Sequence, residues 1–346
     1  MPATGFGVPR LPAARELTVS TTSLTSATAA TDPPHSPALQ DADLPVIGRR
    51  HPWRWVGVAV VLVLLAMFAH GLITNPGWDW PTFFQFFTTR TIFSALAVTL
   101  QLTLYGTVLG FALGAVIATM RLSSSPFLQV VAWGYIWVFR SIPLIVQLLF
   151  WFNLAYLYQE LSIGIPFGPE FVRFSTNNLF GPLGAAVLGL ALHQAAYAAE
   201  IIRGGIISVD QGQSEAAAAL GIPRSRQFFR IVLPQAMRSI LPNGANEVIQ
   251  LFKGTSIVSV MAIPELFYQV QVIYGRNSRV VPLLMVATVW YIVLTTLLSI
   301  AQFYLERYFA RGTSRSLPPT PIQRVRRTWR TLQAKATARP GAGVAS

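Results

Sequence analysis

Two stripes of polar side chains interrupt the long apolar runs of this chain. Between Leu183 and Ile202, His193, Tyr197 and Glu200 fall at i, i+4 and i+7, with Gln194 beside them. Between Ser239 and Ile263, Asn243, Asn246, Glu247, Gln250 and Lys253 fall at i, i+3, i+4, i+7 and i+10. Such spacing puts each set on one face of a helix. Ionisable groups at membrane depth are costly, so they usually face a bundle interior or a watery cavity. The chemistry these faces offer is recognition of a polar solute. Glu200 and Glu247 suit an ammonium group and Lys253 a carboxylate, so together they suit a zwitterion. Gln101, Tyr105, Gln147 and Asn153, in earlier apolar runs, are further candidates for the lining. A plainer reading stands beside this one. Groups near helix ends are solvated or make interhelical hydrogen bonds, and His193 alone reads as a hydrogen-bonded core residue.

The stripes need spans to carry them, and the composition supplies these. The chain has 346 residues, 53% hydrophobic and only 11% charged. Soluble domains carry roughly 25% charged residues, so this is a membrane composition. The net charge of +13 then reads as Lys and Arg at cytoplasmic helix ends, not as a nucleic-acid surface. Cysteine is absent, and the four His (His35, His51, His70, His193) lack close metal-ligand spacing, which excludes disulfides and thiolate metal sites. No Gly-x-x-x-x-Gly-Lys-Ser/Thr loop is present, so no ATP site is recognisable and no bound cofactor is expected.

Spans are expected at about 55–73, 95–120, 142–158, 183–202, 239–263 and 283–304. The predicted fold is an all-α integral membrane protein of about six transmembrane helices, multi-pass in its membrane. Arg49, Arg50 and Arg54 before the first span, and Arg307, Arg311, Arg315 and the basic residues beyond the last, place both termini in the cytoplasm. The resulting division is a disordered tail 1–50, an extra helix and external loop 51–94, a transmembrane domain 95–310 and a basic tail 311–346. Gly106, Gly110 and Gly114 recur every fourth residue, which suits close helix packing.

Between spans four and five lies a stretch of another character. Ser214 suits a helix cap, Glu215 a first turn, and Ala216 to Ala219 a helix with a nearly bare face. Gly221 suits the left-handed residue that ends a helix, with Pro223 close behind. A second helix is expected near Ser225, exposing Arg224, Arg226 and Arg230, with a break or kink at Pro234. A small-residue helix between two spans is suited to lying in a groove of another protein.

The order Glu215-Ala216-Ala217, Gly221, then Ile231-Val232-Leu233-Pro234 resembles the cytoplasmic coupling loop of ABC-importer membrane subunits. Ala196 to Ile206, Leu233-Pro234-Gln235-Ala236, Lys253 to Val260 and Phe139 to Gln147 resemble blocks of the polar amino-acid branch of that family. The likeness covers roughly residues 96–309, and the blocks stand in family order. It implies a permease subunit of an ATP-driven importer for a polar amino acid, itself no enzyme, in the bacterial cytoplasmic membrane. It implies a coupling helix between spans four and five, with Glu215, Ala216, Ala217, Gly221, Ile231, Leu233 and Pro234 as the loop that meets the ATPase. The implied partners are ABC ATPase subunits carrying ATP and Mg, a second permease subunit, identical or homologous, and an extracellular solute-binding protein. One departure stands out. The branch commonly has an acid after the lysine, where this chain has Gly254, so Lys253 needs another partner or meets the solute. The alternatives are an ion-driven secondary transporter, which would usually show repeat symmetry, and a membrane enzyme, for which the scattered His and few acids supply no catalytic cluster.

Overall fold

A computed structural model describes residues 52–165, 168–175, 181–309, 326 and 329–331. The expected tail 1–50 and most of the basic tail 311–346 lie outside the described residues, as do Arg49 and Arg50. The chain divides into two units at Ala69/His70. The first is carried by helix α1 (Pro52–Thr74). Its side chains from Trp55 to Ala69 are exposed on every side, and all of them are uncharged. A helix apolar all round, and long enough to cross about 30 Å of hydrocarbon, is one that faces lipid.

The second unit is a helix bundle. Its helices are α2 (Trp80–Phe87), α3 (Arg90–Arg121), α4 (Pro126–Ser141), α5 (Leu144–Phe152) and the short α6 (Leu154–Leu157). An antiparallel hairpin of β1 (Glu160–Gly164) and β2 (Glu170–Ser175) follows. Then come α7 (Pro182–Ile207), α8 (Gln211–Ala219), α9 (Arg224–Gln227), a π turn over Phe228–Val232, and α10 (Leu233–Gly254). A 3₁₀ segment (Thr255–Met261), α11 (Leu266–Asn277) and α12 (Val280–Phe309) complete it.

Among the described residues four helices are long and apolar enough to cross a membrane, and two bent pairs raise this to six. The bends correct two sequence expectations. The third span is not straight: α4 and α5 meet at 102°. Pro143 forces Ile142 into extended backbone (φ −93°, ψ 129°), which ends the helix. Gln147 then donates to the carbonyls of Phe139 and Ile142, both at 2.7 Å. It is buried in mending the break and lines nothing. The fifth span bends by 46° into α11, where only an external loop was expected.

The seam between α3 and α7 is tight along three successive turns. A Cβ on Gly110 would stand 2.6 Å from the Gln194 Cβ, and one on Gly114 2.6 Å from the Ala198 Cβ. Gly106 faces Leu190 in the same register. Pairs 106/190, 110/194 and 114/198 advance together, so the two helices run parallel. Two parallel spans need a returning segment between them, which is the α4–α5 pair. α10 runs antiparallel to α7, with Ile240 against Gly205 and Leu251 packed in a cluster with Leu190. α12 runs antiparallel to α10, with Gln302 on Asn246 and Tyr291 on Phe252.

The second break is held by Glu265, fully buried at the N-terminus of α11. Its carboxylate accepts from the backbone N–H of Tyr268 (2.6 Å) and Phe267 (3.0 Å), and Tyr291 Oη lies 3.4 Å away. The Leu266 N–H goes to Thr99 Oγ1 at 3.0 Å. A side-chain acceptor there satisfies donors that a helix start leaves open.

Candidate functional site

The structure treats the two polar stripes differently. On α10, Asn243, Asn246, Gln250 and Lys253 all stand exposed, while Gly244, Ile249, Leu251 and Phe252 are buried behind them. Asn246 accepts from Gln302 of α12 at 2.9 Å, and Gln302 also donates to Glu306 at 2.8 Å. Lys253 forms no ion pair among the described residues. Glu247 is half-buried on the flank of this face. Gln101 and Tyr105 of α3 are also exposed.

On α7 the stripe turns inward. Gln194 is 1% exposed and packs on Gly110. It is a packing residue of the α3–α7 seam, not a lining residue, because glycines across the seam let the helices close over it. His193 is half-buried with its ring 5.0 Å from that of Tyr197. Glu200 is already paired: Arg203 Nη2 lies 2.7 Å from its carboxylate. The expectation that Glu200 waits for an ammonium group is therefore corrected. Its partner comes from one turn further along the same helix.

Tyr197 and Glu200 do share a recess of about 420 Å³ with Arg121, Arg140 and Arg203, walled by Trp133, Ile136 and Trp137. The Arg140 guanidinium lies over the Tyr197 ring at 5.2 Å. The sequence reading carried Arg140 only inside the block Phe139 to Gln147. Its place beside Ser141-Ile142-Pro143, a break signal, was the available hint.

The loop between α7 and α10 forms a stapled hairpin. α8 starts earlier than expected, at Gln211, because Asp210 and not Ser214 caps it, its carboxylate taking the Gly212 N–H at 2.7 Å. Gly221 ends the hairpin's first arm with φ +67°, a conformation open to glycine at no steric cost. The N–H groups of Gly221 and Ile222 go back to Ala218 and Ala217 at 3.0 Å each. Gln227 Nε2 donates to the Ser214 carbonyl at 3.2 Å and ties the second arm to the first. Glu215 and Ala216 are exposed. Ala217 is 3% exposed, so its small side chain serves the hairpin's own closure and not a partner. Leu220, 78% exposed, and Phe229, 65% exposed, are apolar groups the sequence reading passed over. Ile231 and Leu233 are half-buried and Pro234 is exposed. Pro234 sits in the first turn of α10 after the π turn and does not break the chain there, since a first-turn residue needs no intrahelical donor. Arg224, Arg226 and Arg230 are exposed as expected.

Away from the spans, Asp79 caps α2 with φ +43° and pairs with Arg279 at 3.1 Å. The Thr82 hydroxyl, 2.7 Å away, the Thr82 N–H and the Arg279 charge hold its carboxyl below the usual value.

A polar-faced bundle with an exposed hairpin between two spans is the build of a transport subunit. The family model for the binding-protein-dependent transport system inner membrane component matches residues 106–311. The chain belongs to that family and is a multi-pass membrane permease subunit, not an enzyme. Membership implies an ATPase and a binding protein as partners. The Arginine transport system permease protein ArgU of Corynebacterium glutamicum is 42% identical over 275 residues, covering 78% of this chain and 84% of that protein. The Nopaline transport system permease protein NocM of Agrobacterium fabrum is 34% identical over 233 residues, 66% of this chain and 92% of that protein. Among solved structures, an amino acid ABC transporter with histidines aligns with a TM-score of 0.54 at 34% identity, over 63% of this chain and 94% of that one.

Proposed function

We propose that this chain, with a second permease subunit, forms the membrane pathway for a polar amino acid and is driven by ABC ATPase subunits that bind ATP and Mg. An external binding protein supplies the solute. The exposed polar face of α10 carries the reading. Asn243, Asn246, Gln250 and Lys253 sit on a bent span whose opposite face is packed. Lipid tolerates such a face poorly, so a second subunit and a watery path between the two must cover it. Lys253 offers its ammonium to the solute carboxylate, and Gly254 leaves it without a neighbouring acid. Glu247 offers a carboxylate to the amino group, a role Glu200 gives up to Arg203. The names of the relatives, for arginine and nopaline, support an amino acid or its derivative as cargo.

The α8–α9 hairpin is the coupling element in this proposal, and it faces the cytoplasm, as do both termini. Glu215, Ala216, Leu220 and Phe229 form its docking face. Ala217 and Gly221 hold its shape, and Ile231, Leu233 and Pro234 join it to α10. The hairpin is short and internally stapled, so movement of the ATPase pair passes to α7 and α10 as rigid-body motion. Residues 51–94 add a helix outside the transport domain 95–310.

The test is co-purification and uptake in vesicles with the ATPase and binding protein, comparing wild type with Gly221→Asp. At φ +67° aspartate is strained by roughly 1 kcal/mol or more, and the hairpin is expected to lose its shape. ATPase retention and uptake should fall together while the chain still inserts. Uptake by this chain alone, driven by an ion gradient, would overturn the proposal in favour of a secondary transporter.

A further inference from the structure

The recess between α3, α4 and α7 holds more positive charge than the chain itself uses. It gathers Arg121, Arg140 and Arg203 around one acid, Glu200, and Arg203 takes that acid. Among the described residues neither Arg121 nor Arg140 forms an ion pair. The Nε of Arg121 is buried with no hydrogen-bond partner. The stack on Tyr197 orients the Arg140 fork without neutralising it. Two guanidinium groups with unfilled donors thus border a space of about 420 Å³.

The depth and the wall say what fits. Arg121 is the last residue of α3 and Arg203 lies in the last turn and a half of α7, so the recess sits where these spans leave the hydrocarbon. Trp133 and Trp137 stack in parallel, 6.2 Å apart, and both are exposed. Phe127, Val130 and Val131 continue an exposed apolar surface along α4. Tryptophan belongs at the membrane interface, and basic pockets between spanning helices hold anionic headgroups.

We propose that this recess binds the phosphate headgroup of an anionic phospholipid, from the leaflet at the α8 end of the bundle. Arg121 and Arg140 donate to the phosphate oxygens, a pairing guanidinium geometry favours. Trp133 and Trp137 lie at the glycerol level, and the acyl chains follow the apolar surface of α4. A bound lipid ties the ends of α3 and α4 to α7. A solute carboxylate could meet the same arginines, but it would have no use for the apolar wall.

The test takes the full-length chain through vesicles of phosphatidylcholine mixed with phosphatidylglycerol. The lipid retained after mild extraction is then measured by mass spectrometry. Wild type is expected to be enriched in phosphatidylglycerol. Enrichment should fall about fivefold for each arginine replaced, in Arg121→Gln and Arg140→Gln, and reach parity in the double variant. Ser141→Glu, at the exposed rim, keeps every arginine and should abolish the enrichment too, so a folding defect of the double variant cannot decide the matter. Arg276→Gln, outside the recess, should change nothing. Unchanged enrichment in both the double variant and Ser141→Glu overturns the proposal. So does release of the lipid by free amino acid, which would make the recess a solute site, or by equimolar inorganic phosphate, which would make it a free-anion site.

Discussion

The polar faces of α7 and α10 match in spacing and differ in fate. On α10 the polar groups look outward and Lys253 lacks an ion partner among the described residues. On α7 Gln194 is sealed under Gly110, and Glu200 is held by Arg203. A polar stripe on a spanning helix therefore has two physical solutions. It can be packed or paired within the chain, or left open for a partner or solute. What chooses is the neighbour: α7 has a glycine-faced helix running parallel along it, whereas among the described residues the polar side of α10 meets Gln302 of α12.

The largest effect should come from breaking the seam that turns the α7 face inward. Gly114→Leu drives a side chain into Ala198 and the Ala195 carbonyl. Overpacking of this kind costs about 1–3 kcal/mol or more, and a lower melting temperature and yield of purified protein are expected. A stable Gly114→Leu protein would mean the seam is looser than drawn. Next comes a direct contrast of the two faces. Lys253→Met and Glu247→Gln should each lower uptake by about tenfold or more, as loss of a hydrogen bond to a charged group implies. Gln194→Leu, a packing change, should leave solute affinity as it was. Equal losses of affinity from all three would erase the distinction.

A smaller effect is expected at the bend beyond α10. Glu265→Ala removes the cap of α11 and should cost about 1–2 kcal/mol in thermal stability, with Glu265→Gln milder. The smallest belongs to Asp79. Its carboxyl titrates lower in the folded chain than in the unfolded one. The stabilisation it gives is present above the unfolded value, near pH 4, and is lost as pH falls through the lower folded value. Asp79→Asn should flatten that acid-side decline and leave stability at neutral pH slightly reduced. An unchanged acid limb in the variant would show that other carboxylates govern it.

Sequence by itself determined the membrane class, the approximate spans, the hairpin between α7 and α10, and the small-residue seam. Each is written in local composition: apolar runs of spanning length, Gly221 at a helix end, and Gly106, Gly110 and Gly114 at four-residue intervals in α3. The α10 face was equally legible, since one helix carries all of its residues. Other features depended on partners far along the chain. Gln147 became a mender of the α4–α5 break because Pro143 freed two carbonyls, and Ala217 turned inward because the Gln227 staple folds the hairpin back. Arg140 met Tyr197 only because α4 packs on α7, which hydropathy does not register. Side-chain type and spacing say which groups share a helix face. Which face is covered, and by what, is decided by packing between helices distant in sequence, and only the tertiary structure holds that information.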